Sequence, residues 1–212
     1  MSILLFSLVF CLGMLSMGLQ LVASRVLAPF FGNSIFVWAS LITTFLAAFS
    51  TGSFIGAVVS AKPIVNQSRI VAGLMIACLA TLLFNSLWSY TVCDWLDLRI
   101  ENLLAKLITT CVLLYFVPVM SLSSITPVCI AYYDHREKSA GRSAGLLNGV
   151  STLGNIIGVL VAAFVLIPTF GTHALLHVWW ISSAAIQLLL WFVLFSPSLQ
   201  VSASSVSPLS DR

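Results

Sequence analysis

The sequence carries very little charge. Its 212 residues include nine Lys and Arg and six Asp and Glu, so that 7% of the chain is charged and the net charge is +3. Soluble domains carry about 25% charged residues. With 60% hydrophobic residues and a mean hydropathy of +1.10, the composition excludes both a water-soluble globule and a disordered chain. It predicts a protein whose solvent is the lipid bilayer.

The motifs of several chemistries are missing as well. The sequence holds no basic run of the kind that binds nucleic acid, no CxxC pair among its five cysteines, and no HExxH, GxSxG, P-loop or GxGxxG motif. The cysteines are therefore interpreted as small hydrophobic residues. No acidic pair lies within the apolar runs. We expect no nucleic-acid partner, no metal site, no cofactor and no catalytic residue.

What the sequence does contain is a series of long apolar runs. A helix needs about 20 apolar residues to cross the hydrocarbon core, and six stretches reach that length. The predicted fold is therefore all-α and integral to the membrane, a six-helix transmembrane bundle. The predicted spans are 2–23, 35–60, 70–91, 103–132, 144–168 and 173–195. We expect 92–101 to form a short amphipathic helix at the interface, and the Ser-rich tail 196–212 to be disordered.

Lysine and arginine predict the orientation of these spans. The loops 61–69 and 133–143 and the tail, which lie on one side of a six-span protein, hold most of the basic residues. They are Lys62, Arg69, Arg136, Lys138, Arg142 and Arg212. The positive-inside rule then predicts that both termini are cytoplasmic. The expected location is an inner or plasma membrane, most simply a bacterial inner membrane.

Glycines recur at helical spacing in the second and fifth spans. They are Gly52, Gly56, Gly141, Gly145, Gly149, Gly154 and Gly158. Glycines four residues apart lie on one face of a helix, where two backbones can approach closely. Two interpretations are open. The faces pack helices against each other within one chain, or they form a dimer face or a surface that slides during transport.

The fourth span contains Pro118 and Pro127, with Ser124 among the hydroxyl residues between them. Proline removes a backbone donor and disturbs the preceding turn. One interpretation is a broken helix whose freed carbonyls line a transport site. The other is a kink in which serine hydroxyls repair the freed carbonyls.

Polar side chains near or inside the spans are candidates for a binding site or a structural polar core. Asn148 and Asn155 are seven residues apart, so they share a helix face. Arg25 is the strongest single candidate, because a guanidinium at a helix end needs an anion, carbonyls or water; the alternative is an arginine that snorkels to the interface. The full candidate set is Gln20, Arg25, Asn33, Ser34, Trp38, Ser124, Asn148 and Asn155.

Three stretches resemble a known family. They are GLQLVASRVLAPFFGNSIFVW at 18–38, SSITP at 123–127, and GRSAGLLNGVSTLGNIIG at 141–158 followed by FVLIPTFG at 164–171. Together they resemble the membrane domain of the fused major-facilitator/spermidine-synthase-like proteins. The resemblance implies a six-helix bundle like one half of a major-facilitator transporter. It also implies a small amine or another small metabolite as the substrate.

The chain departs from that family at two points. Gln20 stands where the family usually has glutamate, so a charged coupling role is not expected there. The aminopropyltransferase-like domain of the larger members is missing from the sequence, so we expect no enzyme activity. The acidic residues Asp94, Asp97 and Glu101 lie outside the spans, and the lack of a buried carboxylate favours a neutral or anionic cargo over a cation.

Two functions follow as hypotheses. The first is a transporter-like module for a small metabolite, which would dimerise to complete a central path. The second is a non-catalytic membrane subunit or scaffold that anchors or stabilises a membrane or soluble partner protein. A transporter needs a polar path through the bundle, whereas a scaffold can be dry throughout.

Overall fold

The computed structural model describes residues 2–137 and 139–195, and within them it contains helices and no strand. Six helices are long and apolar enough to cross a membrane, so the predicted six-helix fold is confirmed. Three run without interruption: α1 (Ser2–Phe31), α2 (Ile35–Ser60) and α3 (Ile64–Arg99). The predicted disordered tail 196–212 lies outside the described residues.

The second half of the chain holds the other three helices. The helix α4 consists of Leu103–Cys111, a π-helical turn Val112–Phe116 and Val117–Glu137. The helix α5 consists of Ala140–Val161, a second π-helical turn Ala162–Leu166 and Ile167–Thr169, and α6 is Thr172–Phe195. We call the end of the bundle where α1 begins and α6 ends the terminal end. The other end, with the turn at Gly32, is the far end.

Two helices are longer than the apolar runs suggest. The helix α1 continues past residue 23 through Arg25 and Pro29, and it ends at Gly32, whose positive φ of 70° is one that glycine adopts readily. The helix α3 continues through the segment expected to form a separate amphipathic helix, as far as Arg99. Length and hydropathy locate the membrane-embedded part of a helix, whereas its caps determine where it ends.

The helix α4 stays continuous through both of its prolines. Pro118 has no N–H to return to the carbonyl of Leu114, and the side-chain amide of Asn85 on α3 donates to that carbonyl at 2.6 Å. The hydroxyls of Ser123 and Ser124 donate to the carbonyls of Met120 and Ser121, at 3.0 and 2.7 Å. The carbonyl that Pro118 leaves unpaired is therefore bonded by a residue of another helix. One of the two interpretations of the sequence expected serine hydroxyls of α4 to bond it.

Backbone contacts at glycines hold the two closest helix pairs together. A Cβ atom added at Gly154 or Gly158 of α5 would collide with the carbonyl oxygens of Phe10 or Met14 on α1. In the same way, Gly52 and Gly56 place α2 directly against the backbone of α4 at Met120 and Ser124. No side chain larger than hydrogen fits at these four positions without separating the helices.

The two helix pairs make matching contacts. If α1–α3 is superposed in order on α4–α6, the pair α1–α5 becomes the pair α4–α2. The glycines Gly52 and Gly56 then correspond to Gly154 and Gly158, with the same four-residue spacing and the same kind of backbone contact. Because each half of the chain contains three spans, the second half enters the membrane from the opposite side. The two halves of the chain thus make matching glycine contacts and run in opposite directions through the bundle.

We predict that Gly154→Ala lowers the free energy of unfolding by roughly 1–3 kcal/mol, because the added methyl group forces α1 and α5 apart. The control is Gly73→Ala on α3, where a Cβ meets nothing within 4 Å. Thermal unfolding of the detergent-solubilised protein, followed by circular dichroism, measures both. Equal stability of the two variants would contradict the proposed role of the glycine contact.

The repair at Pro118 gives a second prediction. Asn85→Leu should destabilise the protein by about 0.5–2 kcal/mol, because the Leu114 carbonyl loses its partner inside the bundle. In a Pro118→Ala background the new backbone N–H can bond that carbonyl. Asn85→Leu should then lower the free energy of unfolding by a smaller amount. A double-mutant cycle of unfolding free energies measures this difference, and strictly additive effects would rule out the repair.

Candidate functional site

A polar groove lies between α1, α2, α4 and α5. Its volume is about 170 Å³, and a water molecule in the liquid occupies about 30 Å³, so the groove has room for a small solute. Eight of its lining residues carry a hydroxyl or an amide. They are Ser16, Ser53, Ser123, Thr126, Asn148, Ser151, Thr152 and Asn155. The other lining residues are Leu12, Gly13, Phe49 and Leu122.

The groove lies near the middle of the bundle. Ser16 is 14 residues after the start of α1 and 15 before its end, so it lies at about half the height of that helix. Asn155 on α5 and Ser53 on α2 line the same groove. At this height a lipid-facing surface is expected to be apolar, because unpaired polar groups are costly in hydrocarbon.

Gly13 explains how α5 brings its polar residues to this place. A Cβ atom there would collide with the carbonyl oxygen of Ser151 and would lie 3.1 Å from the side-chain oxygen of Asn155. With glycine at position 13, the backbone of α1 approaches α5 at the floor of the groove. Asn155 is thereby held at the groove wall.

Not all of the polar groups in the groove are free to bind a ligand. The hydroxyls of Ser16 and Thr152 donate to the carbonyls of Leu12 and Asn148 on their own helices, at 2.9 and 2.8 Å. The side-chain oxygen of Asn155, in contrast, is buried and accepts no hydrogen bond from the described residues. That oxygen has almost no accessible surface and lies beside Gly13 of α1, so it is not open to the groove.

No residue that lines the groove is ionisable. A charged group at the bilayer centre costs about 3 kcal/mol or more without a counter-charge. The one aromatic ring in the lining, Phe49, would return only about 0.5–2 kcal/mol to a cation. The groove therefore suits a neutral ligand better than a cation or an anion.

The structure brings two of the predicted site residues to the groove, Asn148 and Asn155. Ser124 is 1% exposed and lies behind the groove wall, against α2, while the neighbouring Ser123 lines the cavity. The serine that lines the groove, Ser123, is thus the immediate neighbour in sequence of the predicted one, Ser124. Periodicity within α4 alone does not show which face is turned towards α2.

The other five candidates lie towards the far end and do not line the groove. Gln20 is half-buried, Arg25 and Asn33 are exposed, and Trp38 is 36% exposed. Ser34 precedes the first turn of α2, and its hydroxyl oxygen is buried with no hydrogen bond from the described residues. Arg25 is in no ion pair within 2–137 and 139–195, where the observed pair is Lys106 with Asp97 at 2.5 Å.

The predicted glycine faces separate into two groups. Gly52, Gly56, Gly154 and Gly158 pack against neighbouring backbones, as described above. Gly141, Gly145 and Gly149 are exposed, and a Cβ atom at any of them would meet nothing within 4 Å. Packing within the chain is therefore not seen at these three positions, because no other helix of the bundle covers this part of α5.

The exposed glycines lead into the groove. Gly145, Asn148 and Thr152 follow one another at spacings of three and four, so they share one face of α5, and all three are exposed. On α2 the exposed Thr43, Ala47 and Ser50 form the corresponding face. Because α5 begins at the terminal end and α2 begins at the far end, the α5 face runs from the groove to the terminal end and the α2 face runs to the far end.

Sequence reasoning missed several groove residues. Ser16, Ser53, Ser151 and Thr152 were not singled out, because isolated hydroxyl residues in apolar helices usually bond to their own backbone. One signal was present in the spacing, since Asn148, Thr152 and Asn155 mark one polar face of α5. Gly13 had no signal, because its role depends on which helix crosses α1 there.

Comparisons with protein-family profiles, with curated proteins and with solved structures find no match to this chain.

We predict that water reaches the groove. In a Cys11→Ala background, Thr152→Cys should react with a charged, membrane-impermeant maleimide, because a thiol reacts as the thiolate, which needs water to form. Leu160→Cys on the same helix should stay unlabelled, since Leu160 is 49% exposed on an apolar face. The other four cysteines are buried. Equal labelling at both positions, or none at 152, would contradict a hydrated groove.

Proposed function

We propose that this protein is a transporter-like membrane module for a small metabolite and that it works as a dimer. The observation that carries the proposal is the polar groove, which has no ionisable lining and lies at mid-height in the bundle. A protein that only anchors a partner has no need for hydroxyls and amides at this depth. A solute that crosses the membrane does need them, because they replace part of its hydration.

The architecture supports this proposal. Two inverted three-helix repeats build each six-helix half of the major-facilitator transporters, whose substrates bind near the midplane, and the matching glycine contacts of α1–α5 and α2–α4 fit such a repeat. One such half leaves its groove open on one side. A second copy would close it, and the exposed faces at Gly145 and Gly149 on α5 and at Ala47 on α2 would let two backbones approach closely. In a two-fold arrangement, α5 of each copy faces α2 of the other.

The proposal includes an orientation and a relationship. We propose that both termini are cytoplasmic in an inner or plasma membrane, following the Lys and Arg distribution. We also propose kinship with the membrane domain of the fused major-facilitator/spermidine-synthase-like proteins, on the three sequence stretches given above. In this role the protein moves its solute without a catalytic step.

One observation favours the second candidate function, a membrane subunit that anchors or stabilises another protein. The exposed face formed by Gly141, Gly145 and Gly149 would receive a helix of a partner as readily as a second copy of this chain. In that case the groove would result from helix packing alone, and no solute would pass through it.

The predicted dimer is tested by Gly145→Leu combined with Gly149→Leu. We expect the purified protein to change from dimer to monomer in gentle detergent and its uptake in proteoliposomes to be lost, because leucine side chains prevent the close approach. Native mass spectrometry and radiotracer uptake are the measurements. The control is Gly73→Leu, which is also an exposed helical glycine in open space.

The two candidate functions give different results. A dimer with saturable uptake supports the transporter. A stoichiometric partner protein together with no uptake supports the scaffold. A monomeric wild-type protein with full uptake would contradict the proposed dimer but not the proposed transport.

A further inference from the structure

The lining of the groove also limits which solutes it can take. This step rests on the proposed function, because it concerns the same groove. No lining residue can neutralise a cation or an anion, so a charged solute would lose its hydration at mid-membrane without a counter-charge. The charged side chain that precedes the groove on α5 is Arg142, six residues before Asn148 and so about 9 Å away along the helix. It lies at the terminal end and does not line the groove.

The hydrogen-bonding groups of the groove further limit which solutes it can bind. Asn148 and Asn155 line the groove from α5 with side-chain amides, each of which carries both donors and an acceptor. Ser53 and Thr126 line the groove from α2 and α4, where each hydroxyl can both donate and accept. A ligand with several hydroxyl groups can donate to and accept from all of these residues, and it brings no charge that the lining would leave unpaired.

An apolar surface lies beside these polar groups. Phe49 and Leu122 line the groove from α2 and α4. A polyol or a sugar carries C–H groups between its hydroxyls, and such a face packs against an aromatic ring and an aliphatic side chain without loss of hydrogen bonds. The groove therefore matches a molecule that is polar at its edge and apolar on its face.

We infer that the groove binds and passes an uncharged, polyhydroxylated small molecule, with the amide of Asn155 and the hydroxyls of Ser53 and Thr126 as its hydrogen-bonding partners and Phe49 as the platform for its C–H face. The second copy of the chain covers the open side. The neutral cargo follows from this lining and differs from the amine that the family resemblance implies.

The experiment compares three four-carbon probes that differ in charge. Wild-type protein is reconstituted into liposomes, and the entry of erythritol, of 1,4-diaminobutane and of succinate is measured with radiolabelled compounds. We expect entry of erythritol above protein-free liposomes and no protein-dependent entry of the other two. Asn155→Leu should lower the initial erythritol rate by roughly fivefold to tenfold, the effect of one lost hydrogen bond.

The control is Asn66→Leu, which removes an exposed asparagine of α3 outside the groove and should leave the erythritol rate unchanged. If Asn155→Leu does not fold, Ser53→Ala takes its place. Ser53 is exposed at the edge of the groove, so its loss should lower the rate by a smaller factor without unfolding the protein.

Each result has one meaning. Entry of 1,4-diaminobutane or succinate in place of erythritol overturns the neutral cargo and leaves the transporter standing. Entry of erythritol that neither Asn155→Leu nor Ser53→Ala reduces overturns the assignment of the groove. No entry of any probe through a folded dimer overturns the neutral cargo and the proposed transport together.

Discussion

The whole bundle depends on backbone contact between helices at four glycines. Lipid chains are as apolar as leucine, so helices in a membrane gain little from hiding apolar surface, and close packing has to hold them together. Gly154 and Gly158 bring α5 onto α1, while Gly52 and Gly56 bring α2 onto α4. These two contacts are of the same kind, with the same four-residue spacing of glycines, so the bundle uses one way of packing helices twice.

The groove is a consequence of that arrangement. Two tightly joined pairs, α1–α5 and α2–α4, meet in the middle of the bundle, and the polar cavity lies where all four helices contribute to one surface. Gly13 extends the close approach of α1 and α5 to the groove floor, next to Asn155. The helices α3 and α6 contribute no lining residue to this cavity. Their role is to support the two pairs from outside.

Polar groups in this protein fall into two kinds. Some are fixed by carbonyls of another helix: Asn85 donates to Leu114, Trp179 to Leu15, and Trp180 to Leu79. These bonds connect α3 and α6 to the rest of the bundle and repair the helix at Pro118. Others, such as Asn148 and Asn155, line the groove. Asparagine thus joins two helices at position 85 and lines the groove at position 155.

The sequence by itself determined the fold class, because hydropathy and helix length depend only on the order of residues along the chain. It also determined the six spans, the polar pair Asn148 and Asn155 on one face of α5, and the repeated glycines. Only the tertiary structure decided which face meets which helix. It placed Ser123 at the groove and Ser124 behind it, left Arg25 on the surface, and divided the glycines into packed and exposed groups. Helix periodicity shows which residues share a face, but what that face contacts depends on the crossing of helices distant in sequence.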